Sequence, residues 1–138
     1  MKYISILLFS LLTSTLEAQD WVSDKDFEEK VTGRSAFDDD EEQVVIVEFW
    51  AEFNKDNAFP DWKKLDNLDG VKYYRCDIAT SPKLKKELRI RMAPTLLIYI
   101  KGEAFIKFKA KAGLDLLCPV DYPKMLKAIE VVKEESKY

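Results

Sequence analysis

The sequence predicts a three-layer α/β/α domain built on a mixed central sheet. Three observations predict it. Residues 44–49 form a nearly unbroken apolar run rich in β-branched side chains, which suits a strand covered on both faces. Helical and strand-like apolar spacings then alternate along the chain, implying parallel pairing through right-handed crossovers. Last, residues 95–100 and 104–110 flank Lys101-Gly102-Glu103, a hairpin that adds an antiparallel pair.

The elements follow in order. Residues 1–18 carry one early positive charge, an apolar core and a polar end closing on Ala18, the pattern of a signal peptide. An uncleaved anchor or a buried first helix is the alternative. The mature domain then spans residues 19–138 and is exported, whether to a periplasm, a secretory-pathway lumen or the outside, with no stable membrane insertion after cleavage. Ser23-Asp24 reads as a helix N-cap, with Asp26, Glu28 and Glu29 in the first turns and Phe27, Val31 and Ala36 facing inward. Thr32-Gly33 can end that helix early. Asp38-Asp39-Asp40-Glu41-Glu42 lacks the alternating ligands and turn glycine of a calcium loop and reads as solvated.

After the central strand, Phe59, Trp62 and Leu65 mark a short helix near Pro60. A strand over residues 71–78 follows the Asp69-Gly70 turn. Ser81 caps a helix that has Pro82 in its first turn and runs to about Ile90. On the last strand Lys107, Lys109 and Lys111 share one face and Ile106, Phe108 and Ala110 the other. The lysines read as edge protection, with a basic binding stripe as the alternative. A loop over 113–121 precedes an amphipathic helix over 122–133, with Met125, Ile129 and Val132 inward.

Composition narrows the chemistry. The chain has 138 residues, 47% of them apolar, and a net charge of −3. That is one domain with material for a core and no electrostatic case for nucleic acid. There is no histidine, which removes the usual general base and the commonest metal ligand. No metal site and no cofactor is expected.

Three local patterns, in this element order, resemble the thioredoxin family over residues 22–133. Val47-Glu48-Phe49-Trp50-Ala51-Glu52-Phe53 is similar to the family's central strand and its Trp-Ala-x-Trp lead-in. Arg91-Met92-Ala93-Pro94-Thr95-Leu96-Leu97 resembles the segment holding the family's cis proline. Lys101-Gly102-Glu103 resembles its strand-joining turn. The resemblance implies a thioredoxin-like fold, but the family's Cys-x-x-Cys pair is missing. Counting forward from Trp50, the pair falls on Asn54 and Asn57; counting back from Pro60, it falls on Glu52 and Lys55. Neither alignment supplies a thiol, and thiol–disulfide exchange requires a thiolate.

The resemblance implies further roles. Glu48 matches the family's buried acid, and Arg75 matches the basic residue that can face it. Pro94 matches the proline whose preceding backbone pairs with an extended substrate peptide; its alternative role is to end a loop and shape the sheet edge. The binding version predicts an exposed groove of Phe53, Met92, Ala93 and Pro94, with Asn54 and Asn57 as hydrogen-bonding groups for the partner.

Cys76 and Cys118 are the only cysteines. In an exported protein they can form a disulfide, or Cys76 can be a free apolar core residue. Cys118 can pair with another chain or act as a lone thiol activated by Lys111 or Lys124. Three functions follow: a redox-inactive module that binds a peptide or protein partner noncovalently, an atypical thiol oxidoreductase using Cys118 with or without Cys76, and a structural or assembly module.

Overall fold

A computed structural model describes residues 19–33, 43–110 and 116–137. The segment 1–18, Ala36, the acidic run 38–42 and Lys111 lie outside the described residues. Five strands form one sheet: β1 (Asp20–Trp21), β2 (Val44–Trp50), β3 (Val71–Asp77), β4 (Thr95–Ile100) and β5 (Glu103–Lys109), in the spatial order β1-β3-β2-β4-β5. β3 lies parallel to both β1 and β2, while β4 runs antiparallel to β2 and β5. The sheet is therefore mixed. β1 was not expected, because two residues are too few to show a period.

Strand alternation divides the core into two layers. Val44, Ile46, Leu96, Ile98 and Ile100 face α1 (Trp62–Asp66) and α3 (Tyr122–Glu135), whose Leu65, Met125, Ile129 and Val132 are buried against them. Val45, Val47, Phe49, Leu97 and Tyr99 face Phe27, Val31 and α2 (Pro82–Glu87), which contributes Leu84. Each large apolar side chain so buried contributes about 1.5–3 kcal/mol. Among the described residues these helices cover both faces of the sheet.

Three local details differ from expectation. Asp26 accepts the Ser23 N–H at 2.7 Å while the Ser23 carbonyl receives Phe27 N–H at 3.0 Å, so the first helix is capped by Ser23 and Asp26. Asp24 instead reaches across the fold, accepting from the N–H groups of Lys83 at 3.1 Å and Leu84 at 2.8 Å. It caps α2, which Ser81 does not. The first helix closes as a π-helical turn over Glu28–Thr32, with the Gly33 N–H on the Glu28 carbonyl. A Cβ at Gly33 would sit 2.6 Å from that oxygen, so the turn requires glycine there.

The second difference is the end of α2, which stops at Glu87 rather than near Ile90. Ile90 N–H bonds the Lys85 carbonyl at 2.9 Å and Arg89 N–H the Lys86 carbonyl at 3.3 Å. This is a Schellman closure, with Arg89 left-handed at φ 54° where glycine is usual. Third, the β4–β5 hairpin turns on two residues, Lys101 and Gly102, both at positive φ. A Cβ on Gly102 would meet the Thr32 carbonyl at 2.7 Å.

Candidate functional site

β2 ends at Trp50, and the chain turns through a 3-10 segment, Glu52–Asn57, that is kinked at Asn54. The kink places Asn54 against two loops. Its Nδ2 donates to the Ala93 carbonyl at 2.8 Å and to the Leu116 carbonyl at 3.0 Å. Asn57 Nδ2 donates to Asn54 Oδ1 at 2.7 Å. The amide orientation follows from the partners, since a flipped Asn54 would aim an acceptor at two carbonyl oxygens. Both Asn54 N–H groups are thus committed internally. Glu52 and Lys55, the positions reached by counting back from Pro60, form an exposed ion pair at 3.3 Å.

The Ala93–Pro94 peptide is cis. The loop is fastened on both sides: Thr95 Oγ1 donates to the Met92 carbonyl at 2.6 Å and Ala110 N–H to the Pro94 carbonyl at 3.1 Å. The expected groove is not uniformly open. Phe53 is 76% exposed and Met92 half-buried, whereas Ala93 and Pro94 are buried. Asn54 also differs from the expected partner ligand, because the loops it joins have taken its donors.

Beneath the turn the structure brings Glu48 and Arg75 together. They face each other in register on β2 and β3, with Arg75 Nη2 3.1 Å from Glu48 Oε1. Glu48 is fully buried and also accepts from the Tyr73 hydroxyl at 2.5 Å and the Phe59 N–H at 3.3 Å. Burial, the Glu48 charge and this bond hold the Tyr73 hydroxyl well above its ordinary range. Arg75 is held in turn by Gln19 Oε1 at 2.5 Å and stacks over Trp21 at 6.0 Å. Trp21 meets Trp50 edge-on at 5.3 Å. Three donors converge on the carboxylate, and buried charge is tolerated where it is paired and hydrogen-bonded.

The two cysteines are separated by the sheet. Cys76 is fully buried beside Phe49, Leu84 and Tyr99, while Cys118 packs against the α1/α3 layer. Both are free. A disulfide requires Cα atoms within about 7 Å with converging side chains, and opposite faces of a sheet do not meet that condition. Burial raises the Cys76 thiol to about 11, with Ser81 pulling in the other direction. Cys118 donates to the Val120 carbonyl at 3.3 Å, and burial raises its pKa as well. Lys124, an expected activator of Cys118, lies over the Phe108 ring at 5.9 Å. Neither thiol has the electropositive, exposed setting of a reactive one. Among the described residues no cluster of metal-ligating groups occurs.

Sequence reasoning placed Asn54, Pro94, Glu48 and Arg75 but missed Tyr73 and Gln19 as their partners. Tyr73 lies two residues before Arg75, on the same face of β3, so the period of two could have found it. Gln19 left no signal.

A mixed five-stranded sheet with helices on both faces, and a cis-proline loop beside the end of its central strand, define a class of α/β domain. Within that class the family model for thioredoxin matches residues 20–118, and the chain belongs to the thioredoxin family. No curated protein matches its sequence.

Proposed function

We propose that the domain is a redox-inactive, exported binding module that holds a peptide or protein partner noncovalently beside the cis-proline loop. One observation carries the reading. The turn after β2 presents Asn54, which bonds to the Ala93 carbonyl at 2.8 Å, where the family resemblance implies a reactive cysteine. An amide cannot attack sulfur, but it can fix the loop in a binding-ready shape without chemistry. Met92 leads into the buried Ala93–Pro94 pair, and Phe53, next to Asn54 in the chain, leaves a large apolar surface in solvent. An exposed aromatic next to a residue tied to the loop suits partner contact.

The experiment has three readings on one preparation. N-terminal sequencing of the protein recovered from the exported fraction is expected to begin near Gln19. Insulin reduction is expected to stay at background. A pull-down from that fraction is expected to capture a partner that Phe53→Ser and Met92→Glu lose while remaining folded. Turnover that disappears in Cys118→Ser would establish the oxidoreductase reading instead. Undiminished capture by both folded variants would place the contact elsewhere, as in an assembly module.

A further inference from the structure

Beside the cis-proline loop, where α2 ends against β5, lies a cavity of about 360 Å³ lined by Arg89, Arg91, Met92, Thr95, Lys107 and Lys109. A second cavity of about 400 Å³ shares Arg89 and Arg91 and adds Lys85 and Lys86. Six cations line the two, with no carboxylate. This is not a consequence of composition, since the chain carries a net charge of −3. Lys107 donates to the Leu88 carbonyl at 2.9 Å. Among the described residues none of the other five has a carboxylate partner. Burial, then the charges of Lys109, Arg89 and Arg91, lowers the Lys107 pKa.

Arg89 supplies an independent observation. It occupies the left-handed position of a Schellman closure, where a side chain is disfavoured and glycine is the ordinary solution. A strained arginine that lines both cavities and pairs with no acid points to a ligand rather than to the fold.

We propose that Arg89, Arg91, Lys107 and Lys109 dock carboxylate side chains of an acidic, extended peptide segment that crosses Met92. The inference rests on the binding role proposed above and names the chemistry of the partner. Two guanidinium groups match carboxylates in fork geometry. Six cations around two adjoining hollows match a few carboxylates, whereas nucleic acid binding draws on many cations set along a phosphate backbone.

The test uses a fluorescein-labelled octaglutamate peptide, an octaglutamine control and an oligothymidylate, each titrated by anisotropy against the mature protein. Octaglutamate is expected to bind, more weakly as salt rises, and octaglutamine not to. The Arg91→Ala/Lys109→Ala double variant should weaken octaglutamate at least tenfold. Arg89→Gly should weaken it severalfold while raising the melting temperature, a combination that a merely structural role for Arg89 does not produce. Equal binding of octaglutamine, or unchanged affinity in the folded double variant, overturns the proposal. So does oligothymidylate binding more tightly than octaglutamate. Partner capture separates the two readings. Loss in Phe53→Ser with full retention in the double variant overturns the acidic-segment proposal alone. Octaglutamate binding that depends on Arg89, Arg91 and Lys109 supports it even where no partner is captured.

Discussion

Asn54→Ala removes the Nδ2 bonds to the Ala93 and Leu116 carbonyls and the acceptor of Asn57. Each neutral hydrogen bond contributes a net of about 0.5–1.5 kcal/mol. The site is half-buried, so water can replace part of what is lost. A total of about 2 kcal/mol is expected, which for a domain of this size lowers the melting temperature by roughly 6–12 °C. Asn54→Asp sharpens the test. It keeps the size of the side chain but turns a carboxylate toward two carbonyl oxygens, so it should cost more than alanine at neutral pH. Urea unfolding of the wild type and both variants, followed by tryptophan fluorescence, measures the order through the midpoint at constant m. An aspartate variant as stable as the wild type, or more stable than the alanine variant, would refute the assignment of Asn54 as a donor to both loops.

Three further outcomes are expected. Arg75→Met leaves Glu48 buried without its cation and should cost about 3–5 kcal/mol, with much of the loss recovered in Glu48→Leu/Arg75→Met; chemical denaturation of the single and double variants checks this. Asp24→Ala removes the cap of α2 and should cost about 1 kcal/mol, read as faster hydrogen exchange at Lys83 and Leu84. Stability should fall as pH rises from about 9 toward 11. The folded Cys76 pKa of about 11 lies above its ordinary 9.0, so between those values the unfolded chain has already lost the proton that the folded chain keeps, and unfolding gains from alkali. Cys76→Ala should flatten that slope in melting temperature against pH, and an unchanged slope would assign the transition to other groups.

Much of the frame was legible because burial on both faces writes an apolar run that few other structures share. Residues 44–49 and 95–100 are of that kind, and their strands form where expected. The C-terminal helix was legible too, since Met125, Ile129 and Val132 repeat at helical spacing and are all buried. What escaped was long-range pairing. Asp24 reads locally as a cap, and its use by a helix 59 residues later leaves no mark on nearby sequence. The end of α2 escaped because Arg89 adopts a backbone conformation that its residue type disfavours. At the site, the tie that Asn54 makes was not legible, because its two carbonyl partners come from loops 39 and 62 residues away.

The cysteines, one in each layer of the core, have a use apart from any chemistry in the cell. Opening of the α2 layer uncovers Cys76, which is fully buried, whereas Cys118 lies only partly buried against the α1/α3 layer. A thiol-reactive dye applied to Cys118→Ala would time the opening of the α2 layer, because labelling of a buried thiol follows local opening, while Cys76→Ala would give the rate of a thiol that solvent already partly reaches. The protein thus carries an internal clock in its α2 layer, with a partly exposed thiol on the other face of the sheet as its reference.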